Sequence, residues 1–234
     1  MYVNSAEFYD ELYHFKDYKV EAGKLAEIVH ALHPAARTLL DVACSTGRHL
    51  EHLKDLFDVE GVDINEKLLT VARTRLPSVP LHQNDMIDFN LNRKFDLVTC
   101  LFASIAYVRT VENLGRTIIS LARHLNPDGL MFVEPWLTPE QYWRNHIVMN
   151  ISENPERKIV WMYVGEEKER VVTNNIHYMV GTRDGVSHFI ETHQMGLFRH
   201  DDYLAAIAAA GLSLLRYDPK GFYGYGLYVA RQER

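Results

Sequence analysis

The sequence predicts an α/β fold, a doubly wound Rossmann-like sheet with an antiparallel β insert, on three observations. Short apolar runs alternate with stretches of helical spacing up to Trp136, the pattern of βα units in a parallel sheet. The first run, Thr38-Leu39-Leu40, ends in Asp41, and small residues follow to Gly47 before helical spacing resumes, the strand–loop–helix of a ligand site over a helix N-terminus. Beyond Trp136, β-branched and aromatic alternation broken by turn residues takes over.

Taken in order, the aromatic stretch from Tyr2 to Tyr18 reads as a short amphipathic helix capping the core. A helix over Tyr18 to Leu32 carries Val20, Leu25, Ile28, Val29 and Leu32 as its apolar stripe. After the first strand, a helix from Gly47 to Phe57 presents Leu50, Leu53, Leu56 and Phe57 on one side. A strand from Val59 to Asp63, a helix from Glu66 to Arg75 capped by Asn65, and a strand from Val79 to Gln83 come next. Phe95 to Cys100 is apolar nearly throughout, as a central parallel strand is. A helix from Val111 to Leu125 closes at the turn Asn126-Pro127-Asp128-Gly129, and Leu130 to Glu134 is the fifth strand. The insert reads as hairpins over 147–152, 158–164, 170–180 and 186–198, separated at Asn154-Pro155, Gly165-Glu166 and Thr182 to Gly185. A helix from Asp201 to Ala210 and strands over 213–217 and 224–230 return to the main sheet. The expected division is 1–36 for N-terminal cap helices, 37–136 for the nucleotide-type core, 137–199 for an antiparallel insert forming a lid, and 200–234 for the return.

Composition bounds the function. A chain of 234 residues with 47% hydrophobic residues buries an ordinary core. A net charge of −6 argues against a nucleic-acid partner, which selects a basic face. The N-terminus lacks the basic and apolar regions of a signal peptide, and no apolar run is long enough to span a membrane. The two cysteines fit a reducing cytoplasm and read as buried thiols. A cytoplasmic enzyme, monomer or homodimer, acting on a small molecule is expected. His49 and His52 have helical spacing but no third ligand nearby, so no metal is expected.

Three acids in order narrow the ligand. Asp41 ends the first strand, and Asp63 ends the second about 20 residues past the loop, where a carboxylate accepts both hydroxyls of a ribose. That much fits any adenosine-type cofactor, NAD included. Asp85-Met86 ends the third strand, where an acid can accept from an adenine amino group while Met86 covers the ring. The extra acid is foreign to the NAD fingerprint and favours S-adenosyl-L-methionine (SAM).

These segments resemble a class I SAM-dependent methyltransferase, and most closely the N,N-dimethyltransferases of nucleotide-linked amino sugars (the desosamine and mycaminose enzymes). The matching runs are Leu39 to Ala43-Cys44-x-Thr46-Gly47-x-His49-Leu50-Glu51-His52, His82-Gln83-x-Asp85-Met86, and Val133-Glu134-Pro135-Trp136. Further matches are His177-Tyr178, Ser187-His188, His193, Leu197-Phe198, and Ala208 to Leu212. The resemblance covers nearly the whole chain and implies a seven-stranded sheet with its last strand antiparallel. It implies N-methylation of an amine of specialised metabolism. An O-methyltransferase and a non-catalytic SAM- or nucleotide-binding module are the alternatives.

The expected cofactor residues are Asp41, Cys44, Ser45 and Gly47 in the loop, Asp63 at the ribose, and Ile64, Asp85 and Met86 around the adenine. Cys100 and Leu101 follow, with backbone carbonyls for the cofactor's ammonium. The family's N-terminal tyrosines fold over the cofactor, which implies Tyr18 at the methionine end and Tyr9 and Tyr13 towards the substrate. Phe102, Trp136 and Tyr225 complete the expected substrate side. Tyr107, aligned with a relative's histidine near the substrate amine, is the expected proton relay, with Glu134, His177 and His193 as further catalytic candidates. Two departures from the family stand out. Ser45 replaces a usual glycine, which is strained if its φ is positive. Tyr225 replaces an arginine that faces the sugar nucleotide's phosphates, and it supplies neither charge nor fork. Either Lys220 or Arg144 compensates, or the acceptor is a compact amine without phosphate, and this second option is the expectation.

Overall fold

The structure, a computed structural model, describes residues 2–233. Strands β1 (Thr38–Val42), β2 (Asp58–Asp63), β3 (Leu81–Gln83), β4 (Phe95–Cys100) and β5 (Leu125–Val133) run parallel. With the later β10 (Leu212–Asp218) and β11 (Leu227–Gln232) they form one seven-stranded sheet, order β10-β11-β5-β4-β1-β2-β3, in which β11 is antiparallel to both neighbours. The strand order reverses between β1 and β4, the switch point outside which a ligand crevice opens. Leu39, Leu40, Leu97, Val98, Met131 and Phe132 are buried on both faces of these strands. Each such side chain stabilises the fold by roughly 1.5–3 kcal/mol relative to exposure.

The helices follow from local chemistry. A one-turn helix, α1 (Tyr9–Leu12), follows a single 3-10 turn, so the aromatic N-terminus is a strap of short turns and not the amphipathic helix expected. Asp17 caps α2 (Tyr18–Leu32) by accepting from the Val20 amide at 3.0 Å. Val20 itself is exposed and does not belong to the apolar stripe; Tyr18, Ala22, Leu25 and Val29 do. After β1, α3 (Arg48–Leu53) is shorter than expected, and Leu56 lies exposed beyond its end. Asn65 caps α4 (Glu66–Arg75) through the Lys67 and Leu68 amides. Thr110 caps α5 (Val111–Arg123). The turn residues after α5 do not separate it from the next strand. Asp128, at φ 64°, makes a bulge inside β5, where the register with β4 shifts between Phe95 and Leu97.

The insert is a four-stranded antiparallel sheet of β6 (Ile147–Glu153), β7 (Arg157–Lys168), β8 (Val171–Thr182) and β9 (Gly185–Gly196), in sequential order. Gly165-Glu166 lies within β7; the hairpin turns instead at Glu169 and Arg170, both left-handed at φ 52° and 65°, as a two-residue primed turn requires. One face, with Ile159, Ile176, Tyr178 and Val180, packs on Leu12, Phe8 and Tyr13 of the strap. The other face carries Met149, Met162, Met179 and Ile190, all exposed. Helix α6 (His200–Ala209) then leads back to β10. Among the described residues no helix is long and apolar enough to cross a membrane.

Candidate active site

A cavity of about 620 Å³ lies outside the C-terminal ends of β1–β4, roofed by the strap and flanked by β6, β7 and β9. Its volume falls in the range of sites that enclose small molecules. A narrower recess opens beside it, lined by Tyr18, Asp41, Cys44, Ser45, His49 and Leu101.

The nucleoside end is built by β2 and the loop after β1. The Asp63 carboxylate accepts from the Ser45 amide at 2.8 Å and the Asn65 amide at 2.8 Å. Burial pushes its carboxyl up against those hydrogen bonds. Asp41 is buried beneath the recess, receives the Thr99 hydroxyl at 2.7 Å, and is pushed up to about 6, chiefly by burial. Ile64, Asp85 and Met86 line the cavity, and Asp85 is tethered by the Ile87 amide at 2.9 Å. Tyr18 has a buried hydroxyl with no hydrogen-bond partner, and the Ser45 hydroxyl is buried beside Tyr9 without a well-formed bond. Orphaned donors and a carboxylate at the end of β2 fit a nucleoside with a polar amino-acid tail.

Two expected cofactor positions, Gly47 and Cys100, act otherwise in the fold. Gly47 is the left-handed N-cap of α3, φ 75°, and a Cβ there would lie 2.7 Å from Leu76; its role is the turn, not the cavity wall. Cys100 lies inside the sheet, its carbonyl taken by the Glu134 amide at 3.0 Å, whereas Leu101 does reach the recess. Cys44 lines the recess as a buried thiol pushed up by burial, and so stays protonated. His49 packs against α2, its Nε2 2.8 Å from the Glu21 carboxylate.

The acceptor end is aromatic. Tyr2, Tyr9, Tyr13, Phe102, Trp136 and Tyr225 line it. Hydroxyls join across it: Tyr13 to Tyr2 at 2.8 Å, Tyr2 to Tyr107 at 3.4 Å, and Tyr107 to His193 Nδ1 at 2.8 Å. Burial pulls the His193 imidazole below the ordinary histidine range, so it is neutral and accepts from Tyr107. The Tyr107 phenol is pushed far up by burial and keeps its proton. His193 stands behind Tyr107, packed edge-on against the Tyr2 ring, and does not itself line the cavity.

Two catalytic candidates are corrected. His177 is exposed on the outer face of the insert, beside His188 at 3.2 Å, because alternation along β8 turns it away from the strap. Glu134 is buried and tied off by the Phe102 amide at 2.8 Å and the Phe222 amide at 3.0 Å. It positions the loop after β4 and the C-terminal tail without lining the cavity. Sequence reasoning also missed Asn84, Arg109, Trp161, Tyr163, Thr192 and Gln194, which line the cavity from loops and from insert strands. Inward alternation along β7 was the available signal for Trp161 and Tyr163.

The strap is clamped at several points. Glu191 of β9 accepts from the Asn4 amide at 2.5 Å and from the Ser5 hydroxyl at 2.5 Å. Asp10 pairs with Arg75 and accepts from the Thr46 hydroxyl at 2.6 Å. Buried Lys16 pairs with Glu21 at 2.9 Å and lies 3.7 Å from the centre of the Phe102 ring. Burial opposes ionisation of Glu191, but His193, whose Nε2 lies 3.8 Å away, and the hydrogen bonds from Ser5 and Asn4 outweigh it and hold the carboxyl down at about 2. A depressed carboxyl contributes stability above its unfolded pKa, about 4.5, and loses it as pH falls towards 2. The difference corresponds to roughly 3 kcal/mol. In urea unfolding, the stability gap between wild type and Glu191→Gln narrows by about 2 kcal/mol between pH 6 and pH 3. A gap that does not depend on pH would contradict this clamp.

Ser45 has φ 54°, the strained alternative, and it follows Ala43 at φ 61°. Left-handed backbone costs a serine about 1–2 kcal/mol, and glycine gives back part of that through unfolded-state freedom. Ser45→Gly therefore raises stability by about 0.5–1 kcal/mol in thermal or urea unfolding; unchanged or lower stability would show that the strain is relieved elsewhere.

Comparison with known proteins agrees with this geometry. The sequence profile of a family described as a methyltransferase domain matches residues 39–129. The chain is 39% identical over 231 residues to the dTDP-3-amino-3,4,6-trideoxy-alpha-D-glucopyranose N,N-dimethyltransferase of Streptomyces venezuelae, covering 97% of each chain. The crystal structure of Streptomyces venezuelae DesVI superposes with a TM-score of 0.92 at 39% identity, over 97% of this chain and 98% of that one. SAM-bound CalS10, an amino pentose methyltransferase from Micromonospora echinaspora involved in calicheamicin biosynthesis, gives 0.87 at 32% identity, over 99% and 98%. The chain thus belongs to the class I SAM-dependent methyltransferases, within the family of nucleotide-amino-sugar N,N-dimethyltransferases, and is an enzyme of N-methylation.

Proposed function

We propose that the enzyme transfers two methyl groups in turn to the amine of a dTDP-linked deoxyamino sugar. The observation that carries this reading is the similarity to a dTDP-amino-sugar N,N-dimethyltransferase over 97% of both chains. The aromatic end of the cavity, beyond the nucleoside end, supports it. Two buried free thiols suit a reducing compartment, and we place the enzyme in the cytoplasm. The exposed apolar residues on the outer face of the insert favour a homodimer over a monomer.

SAM, when bound, supplies an electrophilic methyl group on a sulfonium. Asp63 holds the ribose, Ile64, Asp85 and Met86 the adenine, and Tyr18, Ser45 and the Leu101 carbonyl the amino-acid end. Tyr9, Tyr13, Phe102 and Trp136 hold the acceptor and exclude water, so the chain's main contribution is alignment. A monomethylated ammonium is no nucleophile until it loses a proton, so dimethylation needs an exit for that proton. The Tyr107 hydroxyl takes it while passing its own proton to His193 Nδ1; His193 acts through Tyr107.

Two measurements test these assignments. Asp63→Ala weakens SAM and S-adenosylhomocysteine binding by roughly 1.5–3 kcal/mol in calorimetry, the loss of a charged acceptor. Unchanged affinity would remove the ribose role. Tyr107→Phe lowers kcat about tenfold to a hundredfold with SAM affinity intact, and mass spectrometry shows monomethylated product accumulating. Full turnover to the dimethylated product across pH would rule out the relay. A wild-type enzyme that methylates no dTDP-amino sugar, but methylates simple amines, would overturn the substrate reading.

A further inference from the structure

The phosphate-free expectation rested on the loss of a tail arginine to Tyr225 without a cation in its place. Neither proposed substitute reaches the cavity. Arg144 is paired with Glu167 at 2.6 Å with its side chain 61% exposed, and Lys220 is exposed in the tail. Lys16 is buried behind Phe102 and spent on Glu21. Among the described residues that line the cavity, one is cationic: Arg109.

Arg109 follows the 3-10 helix Ser104–Val108 and has φ 68°. φ sets the direction of a residue's own Cβ relative to the preceding peptide, so this left-handed turn re-aims the side chain at about 1–2 kcal/mol of strain. The turn is fitted to β9. A Cβ on Gly196 would lie 2.6 Å from the Arg109 carbonyl oxygen, so a side chain there would displace the turn. The guanidinium donates to the Gln194 side-chain oxygen at 3.4 Å, a long bond, and has no carboxylate partner among the described residues. The cavity's carboxylates, Asp63 and Asp85, end β2 and β3 at the nucleoside end, whereas Arg109 sits against β9. Arg109 is exposed, so its guanidinium stands at the open rim of the cavity, and without a carboxylate partner it can bind an entering oxyanion with two parallel hydrogen bonds.

We infer that Arg109 binds the phosphate of the acceptor, replacing from the β4 side of the cavity the cation that Tyr225 does not supply from the tail. This rests on the dTDP-amino-sugar reading and fixes where the charged end of that substrate lies. Tyr107 and Arg109 lie two residues apart on the segment after β4, and both line the cavity. A hydroxyl at the amine and a cation at the phosphate thus come from one short segment.

The test uses Arg109→Gly, in which glycine accepts the left-handed backbone and the cation is lost without adding strain. With the enzyme saturated by S-adenosylhomocysteine, dTDP titrated by calorimetry binds about tenfold to a hundredfold more weakly to Arg109→Gly than to wild type, and Arg109→Lys recovers part of the loss. In turnover, the preference in kcat/KM for a dTDP-amino sugar over its phosphate-free methyl glycoside falls by a similar factor, carried by KM. Equal dTDP affinity in wild type and Arg109→Gly, or an unchanged preference, overturns the assignment. If wild type turns over neither amino sugar, the amino-sugar reading fails, and the dTDP titration alone decides Arg109.

Discussion

The site depends on a strap held shut from below by buried charge. Residues 2–17 form little regular structure and bury aromatic rings over a polar crevice, an arrangement that solvent would reopen without fixed anchors. Glu191, Asp10 and Glu21 provide those anchors, each a carboxylate answered by amides, hydroxyls or a cation. Buried ions contribute only when fully partnered, and a broken pair leaves a desolvated charge behind. Closure places Tyr2, Tyr9 and Tyr13 in the cavity wall, so folding the N-terminus and assembling the acceptor site are one event.

Backbone strain gathers around the same cavity. Ala43, Ser45, Phe102, Ala103 and Arg109 all have positive φ, and all lie in the loops after β1 and β4 or at the end of the short helix that follows β4. Residues held this way persist only where the surroundings over-determine them. Here the surroundings are the fully buried central strands and the Glu134 carboxylate, which ties the Phe102 amide to the tail at Phe222. Glu134 thus serves the site from outside it: without that tie, the loop after β4 and the glycine-rich tail would move independently.

The main sheet was legible because its signals are local. Caps at Asn65 and apolar runs ending in Asp41 and Asp63 follow from a few neighbouring residues, and α4 and β4 have the expected bounds. The errors arose where tertiary contact overrides the local signal. Asn126 to Gly129 reads as a turn, but β4 holds it in the sheet as a bulge. Tyr2 to Tyr18 reads as one amphipathic helix because its partner surface, the insert's inner face, is remote in sequence. Glu134 and His193 carry the right chemistry for a cavity, yet both stand one layer behind it, and depth has no sequence signal. Arg109 had none either: it is an ordinary arginine until β9 folds a glycine against its carbonyl.

The distribution of charge explains how one pocket accommodates opposite demands. A sulfonium and an amine favour acids and aromatic faces, and a phosphate does not. Mixing the groups would neutralise both; separating them by the width of the cavity lets each keep its own partner. The carboxylates end β2 and β3, the cation follows the segment after β4, and phenols that burial keeps protonated fill the space between. Protonated phenols add no charge to that boundary, yet they donate and accept. A proton leaving the amine can therefore cross it without a charged side chain beside the reacting centre, where a carboxylate would pair with the ammonium and hold it unreactive. In the proposed mechanism the relay keeps the nucleophile uncharged, and the separation of Arg109 from Asp63 and Asp85 keeps each charged group available to its own partner.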